Sequence, residues 1–421
     1  MVAVPDTLQK RIDIKVGLTR PRSTRDTTPR VCIVGITPEG FPWLSDVFPD
    51  ARVKVTRMNG DATEAVEQLR FSSKSERGPL PRIATQLPSR IRDAFTLLLA
   101  SGATEVDILL VRGRGLLPWD LDKAMVSEML NPFLSEMPGC MLVYPDAGGP
   151  WPNNKMGLVD TYARMTRLRD TVRNFSQQWT DYYQLGLMDM VPGTPSENRQ
   201  ILLGITGNDV VLCQWTGSHA SMRRHGWRPA CAALAGHLAS KDMEVTQAVT
   251  GQDVDLGRGR YFVRSRAVQL GQPAPPSLDS VVADTCAVLE IDDDIDSAEI
   301  ASTPTFRRPL GEWDIASVRT VKLIHQRLAQ ASDMFVFRPA QEIEATALAA
   351  NIDLALRPFF DRGIVVGPDG AGPPVVSAGV IRSQQEPGLY ADLMAQVRPW
   401  CQQVSVRVMV KMGEQPQLTE Q

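Results

Sequence analysis

Apolar and polar residues alternate in two segments, one near each end of the chain. The segments read RIDIKVGL, from Arg11 to Leu18, and QVSVRVMVK, from Gln403 to Lys411. Their alternating apolar residues are Ile12, Ile14, Val16, Val404, Val406, Val408 and Val410. A period of two predicts a β-strand with one face to bury. Because each strand lies near a chain end, it either returns to its own domain or pairs with another subunit.

A polar, basic segment separates the first of these strands from the body of the chain. It reads TRPRSTRDTTPR and contains Arg20, Pro21, Arg22, Arg25 and Pro29. Interruption by proline and the lack of apolar residues predict an extended linker.

From Val31 onward the pattern predicts strands and helices in alternation. VCIVGI is a continuous apolar run, typical of a central strand buried on both faces. Further strands are predicted at ARVKVTRM, EVDILLVRG, GCMLVYPD, LGLMDMVPG and NDVVLCQWT. Helices are predicted over Ala62 to Leu69, from a Ser89 cap to a stop near Gly102, and over LDKAMVSEMLNPFLSEM, MGLVDTYARMTRLRDTVRNFSQQWTDYY and ACAALAGHLASK. This order predicts an α/β fold with a mixed or parallel sheet flanked by helices.

A proline-rich segment, GQPAPP near Gly271, predicts a domain boundary. Beyond it the pattern predicts an acidic turn (EIDDDID), a strand or helix at TVKLIHQRL, a strand at DMFVFRP and a helix from Gln341 to about Phe360. We therefore expect an arm and linker over 1–30, an α/β domain over 31–275, a second domain over 276–400, and a C-terminal strand and tail over 401–421.

Length and composition agree with a folded chain of more than one domain. The 421 residues are 43% hydrophobic and 22% charged, with a formal net charge of -3. This balance provides no basic excess for nucleic-acid binding. The six cysteines lie far apart, mostly in apolar runs, which is typical of reduced thiols in the cytoplasm. With no apolar signal core and no run of about 18 apolar residues, neither secretion by the usual signal nor a membrane span is expected.

Residue patterns that carry catalysis are not evident. The sequence has no GxxxxGK[ST] loop, HExxH pair, CxxC pair or GxSxG elbow, so no enzyme activity, metal or cofactor is expected. The four histidines favour loop or packing roles: His219 and His225 lie in one polar loop, and His237 and His325 lie in apolar segments. An acidic run comprises Glu290, Asp292, Asp293, Asp294 and Asp296. Calcium binding is one interpretation of it, but the run lacks the EF-hand glycine and downstream Glu, so a solvated or partner-facing patch is favoured.

Several short blocks, taken in their order, resemble the contractile tail sheath proteins of phage tails and contractile injection systems. They include SRIRDAFTLLLASGATEVDILLVRG, GCMLVYPDAGG and DYYQLGLMDMVPG. The C-terminal block SVRTVKLIHQRLAQASDMFVFRPAQEIEATALAANIDLALRPFFDRGIVVG and the closing VRPWCQQVSVRVMVK carry the most specific resemblance. Two features depart from the family pattern: Arg338 stands where an acidic residue is usual, and the EIDDDID region replaces a glycine-rich stretch.

The resemblance implies a structural subunit with extended terminal arms. Such subunits exchange the two end strands with neighbours, and the segment from Arg20 to Pro29 would act as the hinge between them. The implied partners are copies of the chain, an inner tube protein, baseplate and terminal cap proteins, and possibly a second sheath paralogue. The helix from Gln341 is a candidate tube-facing element. The chain would be made in the cytoplasm and enter a particle that is released or docked at a membrane.

Three other functions stay open at this point. The chain is alternatively a soluble α/β enzyme with a nucleotide- or small-molecule-binding domain, another tube, cap or baseplate component of the same apparatus, or a non-contractile scaffold.

Overall fold

The structure, a computed structural model, describes most of the chain in a series of segments. The described residues are 31–48, 53–57, 64–72, 87–137, 139–147, 149, 161–178, 184–190, 209–217, 228–240, 252–256, 286–291, 297–305, 314–382, 387–397, 402–411 and 416–420. Ile12, Ile14, Val16 and the predicted hinge residues Arg20, Pro21, Arg22, Arg25 and Pro29 lie outside them.

Ten strands form a large mixed sheet. They are β1 (Val31–Ile36), β2 (Val53–Arg57), β3 (Ala65–Ser72), β4 (Glu105–Arg112), β5 (Met141–Tyr144), β6 (Leu185–Asp189), β7 (Val210–Gly217), β8 (Asp253–Asp255), β9 (Cys286–Ile291) and β10 (Ser297–Ser302). Their order is β2-β3-β4-β1-β5-β6-β7-β9-β10-β8. The six strands from β4 to β9 in this order are parallel, and antiparallel strands complete both edges. The predicted mixed α/β sheet is confirmed.

Helices cover both faces of the large sheet because its central strands are apolar on both sides. These helices are α1 (Leu44–Val47), α2 (Ser89–Ala100), α3 (Ala124–Leu134), α4 (Thr161–Gln178) and α5 (Ala230–Ser240). Val31 and Ile33 of β1 pack in the core with α2 and α5, whereas Cys32, Val34 and Ile36 pack in the core with α3 and α4. The continuous apolar run VCIVGI therefore serves two cores, as its pattern predicts.

A smaller sheet follows, covered by two long helices. The helices are α6 (Ile315–Asp333) and α7 (Glu342–Asp361), and the strands are β11 (Val365–Val366), β12 (Val375–Ile381), β13 (Gly388–Val397), β14 (Gln402–Lys411) and β15 (Gln417–Glu420). The order is β11-β13-β14-β15, with β12 also paired to β13. All of these pairs are antiparallel. Alternate residues of β13 and β14 pack with α6 and α7 in one core.

Helix α6 joins the small sheet to the large one. Its Lys322 ammonium lies 2.9 Å from the Asp209 carboxylate, which directly precedes β7, and both side chains are largely buried. Arg319, one turn earlier, donates to the carbonyl of Leu238 in the last turn of α5 at 3.3 Å. One helix therefore packs against the small sheet and makes polar contacts with two segments of the large-sheet unit.

Two element predictions are wrong. The predicted helix over Ala62 to Leu69 is wrong, because its residues 65–69 belong to β3 and pair with both β2 and β4. The predicted strand DMFVFRP is a turn between α6 and α7, in which Phe335 and Val336 are buried without forming a strand. TVKLIHQRL, for which strand and helix were both open, lies within α6.

One predicted helix start is shifted by one residue, and the predicted domain boundary can be compared with the sheet order. Ser89 is the first residue of α2, whose N-cap is Pro88, so its hydroxyl does not cap the helix. The predicted domain boundary at 275/276 precedes β9 and β10, and both of these strands belong to the large sheet. The chain passes from the large sheet to the small unit between Ser302 and Ile315. The division into independently folding domains stays a prediction.

Candidate assembly interface

The outer edge of the small sheet is formed by β12, which carries no charge. β12 reads VVSAGVI and pairs through all seven residues with β13 on its inner side. No strand pairs with its other side in the part of the chain that the structure describes. The edges of the large sheet differ: β8 has three residues, two of them aspartates, and β2 contains Lys54 and Arg57. Short length and charge protect sheet edges from unwanted pairing, and β12 has neither protection.

At the opposite edge the small sheet is staggered. β13 pairs with all ten residues of β14, but β15 pairs only with Val406 to Met409. Within the described residues, the outer side of β14 over 402–405 therefore has no strand partner.

The face of the small sheet opposite α6 and α7 contains charged and apolar side chains. Arg407 of β14 makes two hydrogen bonds to Asp392 of β13, at 2.7 and 2.8 Å, and these bonds raise the pKa of Arg407. The same guanidinium lies 5.4 Å from the centre of the Tyr390 ring. Met394 and its register partner Val375 are exposed on this face. Such a mixed face is typical of a partly covered or contact-making sheet.

The outward side of the helix pair is also apolar. Four large hydrophobic side chains here are between 56% and 73% exposed: Met334, Phe337, Ile343 and Leu354. A groove of about 390 Å³ runs between α6 and α7 and is lined by Arg327, Ala331, Asn351 and Leu354 among others. Six of the seven exposed large hydrophobic side chains in the described residues lie in the small unit. The surface of this unit is therefore better suited to protein–protein contacts than that of the large-sheet unit.

The carboxyl edge of the parallel strands is a second candidate site, since ligands of open α/β sheets bind there. Asp189, at the end of β6, accepts a hydrogen bond from the backbone N–H of Cys231 in the first turn of α5, at 2.8 Å. Its other oxygen lies 2.6 Å from the Arg90 guanidinium at the start of α2. The chain's own carboxylate thus occupies the helix N-terminus where an anionic ligand would otherwise bind.

The loop that follows β1 at this edge is anchored by a buried ion pair. Glu67 is fully buried, and its carboxylate accepts from Arg112 at 2.6 Å and from the N–H of Leu44 at 2.7 Å. Arg112 also donates to the carbonyl of Phe41 at 2.8 Å and stacks on Trp43, 4.3 Å from its ring centre. These contacts hold the loop against the sheet.

The residues singled out from sequence lie in different parts of the molecule. Val406, Val408 and Val410 of β14 are buried against the chain's own helices, and Val404 continues the same register opposite Ala395. β14 is thus paired on both sides within one chain, and its exchange between subunits stays a prediction. His237 contacts the Gln252 side chain at 3.0 Å, which agrees with a packing role.

Of the acidic run, only Glu290 lies in the described residues. Glu290 lies in β9 opposite Glu299 of β10, whereas Asp292, Asp293, Asp294 and Asp296 lie outside the described residues, as do His219 and His225. Nowhere in the described segments do three or more His, Cys, Asp or Glu side chains gather as metal ligands would. In those segments, too, every helix is too short or too polar to cross a membrane.

Sequence reasoning missed the Arg90–Asp189 pair and the uncharged edge of β12. The first had a signal: both YPD and LMD end a predicted parallel strand with an acid, and such ends meet at one edge of the sheet. The second had a partial signal: four of the seven residues of VVSAGVI are β-branched, which is typical of a strand, but only the fold determines that the strand lies at a sheet edge.

Comparison with known proteins gave structural matches only. No protein-family model matches the chain, and no curated protein matches it. A chain of the anti-feeding prophage (AFP) baseplate, from a cryo-EM structure, is 14% identical with a TM-score of 0.45, and the match covers 85% of each chain. A chain of the PVC sheath complex in the contracted state, an extracellular contractile injection system, is 11% identical with a TM-score of 0.47, covering 85% of this chain and 82% of that one. Identities and scores this low show neither a common function nor a common fold in detail.

Proposed function

We propose that the chain is a structural subunit that polymerises into the contractile sheath of a phage-tail-like contractile injection system. The observation that carries the proposal is the uncharged outer edge of β12, with which no strand pairs in the described part of the chain. Protein sheets rarely leave seven uncharged edge residues without cover unless another strand pairs with them. The sequence resemblance to sheath proteins implies that end strands pair with neighbouring subunits, and we propose such a strand as the partner of this edge.

The partner strand in this proposal is RIDIKVGL of a neighbouring copy. Its eight residues match the seven of β12 in length, and Ile12, Ile14 and Val16 supply one apolar face. Strand addition suits assembly because main-chain hydrogen bonds provide strength while alternate side chains set the register. The segment from Arg20 to Pro29 connects this strand to its own subunit and permits rotation. The staggered edge at β14 and β15 offers a second place for exchange.

Polymerisation follows from the geometry of such a contact. A strand of one copy that pairs with a different surface of the next copy makes a head-to-tail contact, which builds a helical filament unless the rotation closes a ring. Contraction is then a change between two packings of the same subunits, without nucleotide hydrolysis. The exposed apolar side of α6 and α7 is the proposed contact for the inner tube, with baseplate and cap proteins at the filament ends.

A soluble α/β enzyme is the second candidate, because six parallel strands end at one edge of the large sheet. An anionic ligand at α5 would compete there with the Asp189 carboxylate, and one at the loop after β1 would have to displace the Arg112 contacts. A thermal-shift screen with nucleotides tests this candidate: stabilisation by a nucleotide would favour it.

Variants of the N-terminal strand test the proposal. Ile14→Asp places a charge on the apolar face, and Lys15→Asp, the matched control, places it on the polar face. We expect negative-stain microscopy to show hollow cylinders for the unmodified chain and for Lys15→Asp, and folded monomers for Ile14→Asp. Deletion of Met1 to Leu18 should act as Ile14→Asp does.

The contrary outcomes are distinct. Cylinders from the deletion variant would refute strand exchange by this arm. Monodisperse particles from the unmodified chain at all concentrations would contradict the sheath function, and rings or caps would indicate another component of the apparatus.

A further inference from the structure

Two buried carboxylates lie near one guanidinium at the carboxyl edge of the large sheet: that of Asp189 bonds to it, and that of Asp146 is attracted to it electrostatically. Asp146, two residues past β5, is 8% exposed, and Asp189 of β6 is 2% exposed. Arg90 of α2 bonds to Asp189 at 2.6 Å and donates its Nε–H to the carbonyl of Pro145 at 2.9 Å. Asp189 also accepts from the N–H of Cys231, so the cluster connects α2, the loop after β5, β6 and α5.

The charges of this cluster come from every element around it. Arg90 favours the charged form of Asp146, whereas Asp189 and Asp93 of α2 disfavour it. Around the cluster, Arg228 before α5 faces Asp93, and Arg164 of α4 lies near Arg90. The thiols of Cys213 in β7 and Cys231 in α5 also face Asp189.

For both carboxyls, the cost of burying the charged form is larger than the stabilisation of that form by Arg90. It raises the pKa of Asp146 from 3.8 to about 7 and that of Asp189 to about 6. A carboxyl whose pKa is higher in the folded chain than in the unfolded chain stabilises the fold while protonated. This stabilisation is complete at low pH and is lost as the pH rises through the folded value, so the relevant window extends from about pH 4 to pH 7.

We propose that the Arg90–Asp146–Asp189 cluster is a proton-operated clasp on the large-sheet unit. A proton taken up by the cluster tightens the packing of α2 and α5 against the sheet edge, and its release as the pH rises to neutral loosens that packing. The clasp concerns the fold of one subunit, so it does not depend on the proposed function.

Hydrogen exchange of the full-length chain tests the clasp at the helices concerned. After correction for the intrinsic exchange rate, we expect the protection of α2 and α5 amides to fall at least about tenfold from pH 5 to pH 8. The amides of α7, which lie outside the cluster, serve as the internal control and should keep their protection. Asp146→Asn, which resembles the protonated acid, should reduce the fall and leave the part that comes from Asp189, whereas the exposed Asp353→Asn should leave it unchanged.

Three outcomes would overturn the proposal. One is equal protection of α2 and α5 at both pH values in the unmodified chain. Another is a fall in Asp146→Asn as large as the one measured in the unmodified chain. If that variant does not fold, Asp189→Asn replaces it, and an undiminished fall there is the third.

Discussion

Glu67 shows how a buried charge can lie in the middle of a strand of this sheet. Every polar contact of its carboxylate comes from a segment distant in sequence: the Arg112 guanidinium and the N–H of Leu44. Because the ion is paired and hydrogen-bonded, its burial is tolerated, whereas removal of one partner would leave the other charge without compensation.

Glu67→Gln should therefore lower the stability of the large-sheet unit. We expect a loss of about 3 kcal/mol, since Arg112 would be left largely buried without its counter-charge. Urea unfolding measures this loss. The control is Glu342→Gln, which removes a pair with Arg382 in which both side chains are largely exposed, and it should cost less than about 1 kcal/mol. Equal losses in the two variants would contradict the argument.

At the residue scale, the sequence predicts burial where the pattern is local and fails where partners are distant. Val406, Val408 and Val410 alternate visibly with polar residues, and all three are buried. Arg90 and Asp189 are 99 positions apart, and no local pattern relates them. Their meeting depends on how the parallel strands are ordered, which only the fold determines.

At the element scale, the period of apolar residues predicts central strands well and an antiparallel strand near the edge poorly. β1 is recognisable because it is apolar on both faces. β3 reads AVEQLRFS, and Ala, Glu, Gln, Leu and Arg all favour helices, so the predicted helix followed from propensity. Pairing with β2 and β4 overrides that preference, since strand propensity depends on the neighbours a strand finds.

The contact between α2 and α5 depends on one glycine. A Cβ at Gly236 would lie 2.5 Å from the carbonyl oxygen of Leu98 and 2.8 Å from the Ser101 Cβ. Gly236→Ala should lower the thermal stability, with a cost of about 1 to 3 kcal/mol from the enforced separation of the helices. In a helix with free space the same change would raise stability by about 1 kcal/mol. A lower melting temperature would therefore support a close contact between α2 and α5 at Gly236, and a higher one would contradict it.

At the scale of the whole molecule, α6 makes the two sheets one packed body. Its residues contribute to the same hydrophobic cluster as β1, α5 and β14. The predicted boundary at GQPAPP came from proline-rich composition, but β9 and β10 complete the large sheet after it. Sheet membership is a long-range property, and a composition shift in a connecting segment does not reveal it.

Lys322 and Asp209 form the buried ion pair at this junction. Lys322→Met keeps the aliphatic stem but leaves the Asp209 charge largely buried, and we expect a loss of about 3 kcal/mol in urea unfolding. The double variant Lys322→Met with Asp209→Asn should recover part of that loss because no unpaired ion remains. If the double variant is as unstable as the sum of its single changes, the two side chains are not coupled.

The uncharged edge of β12 also affects the chain before any particle exists. Among the described residues no strand pairs with its outer backbone groups, and an extended segment of a misfolded or truncated copy could pair there because main-chain pairing does not discriminate between sequences. Under the proposed function, newly made chains would therefore pass through an interval in which precipitation competes with ordered growth. In the proposed assembly the arm at RIDIKVGL would shorten that interval, since a strand tethered to a neighbour already in a filament is present at high effective concentration.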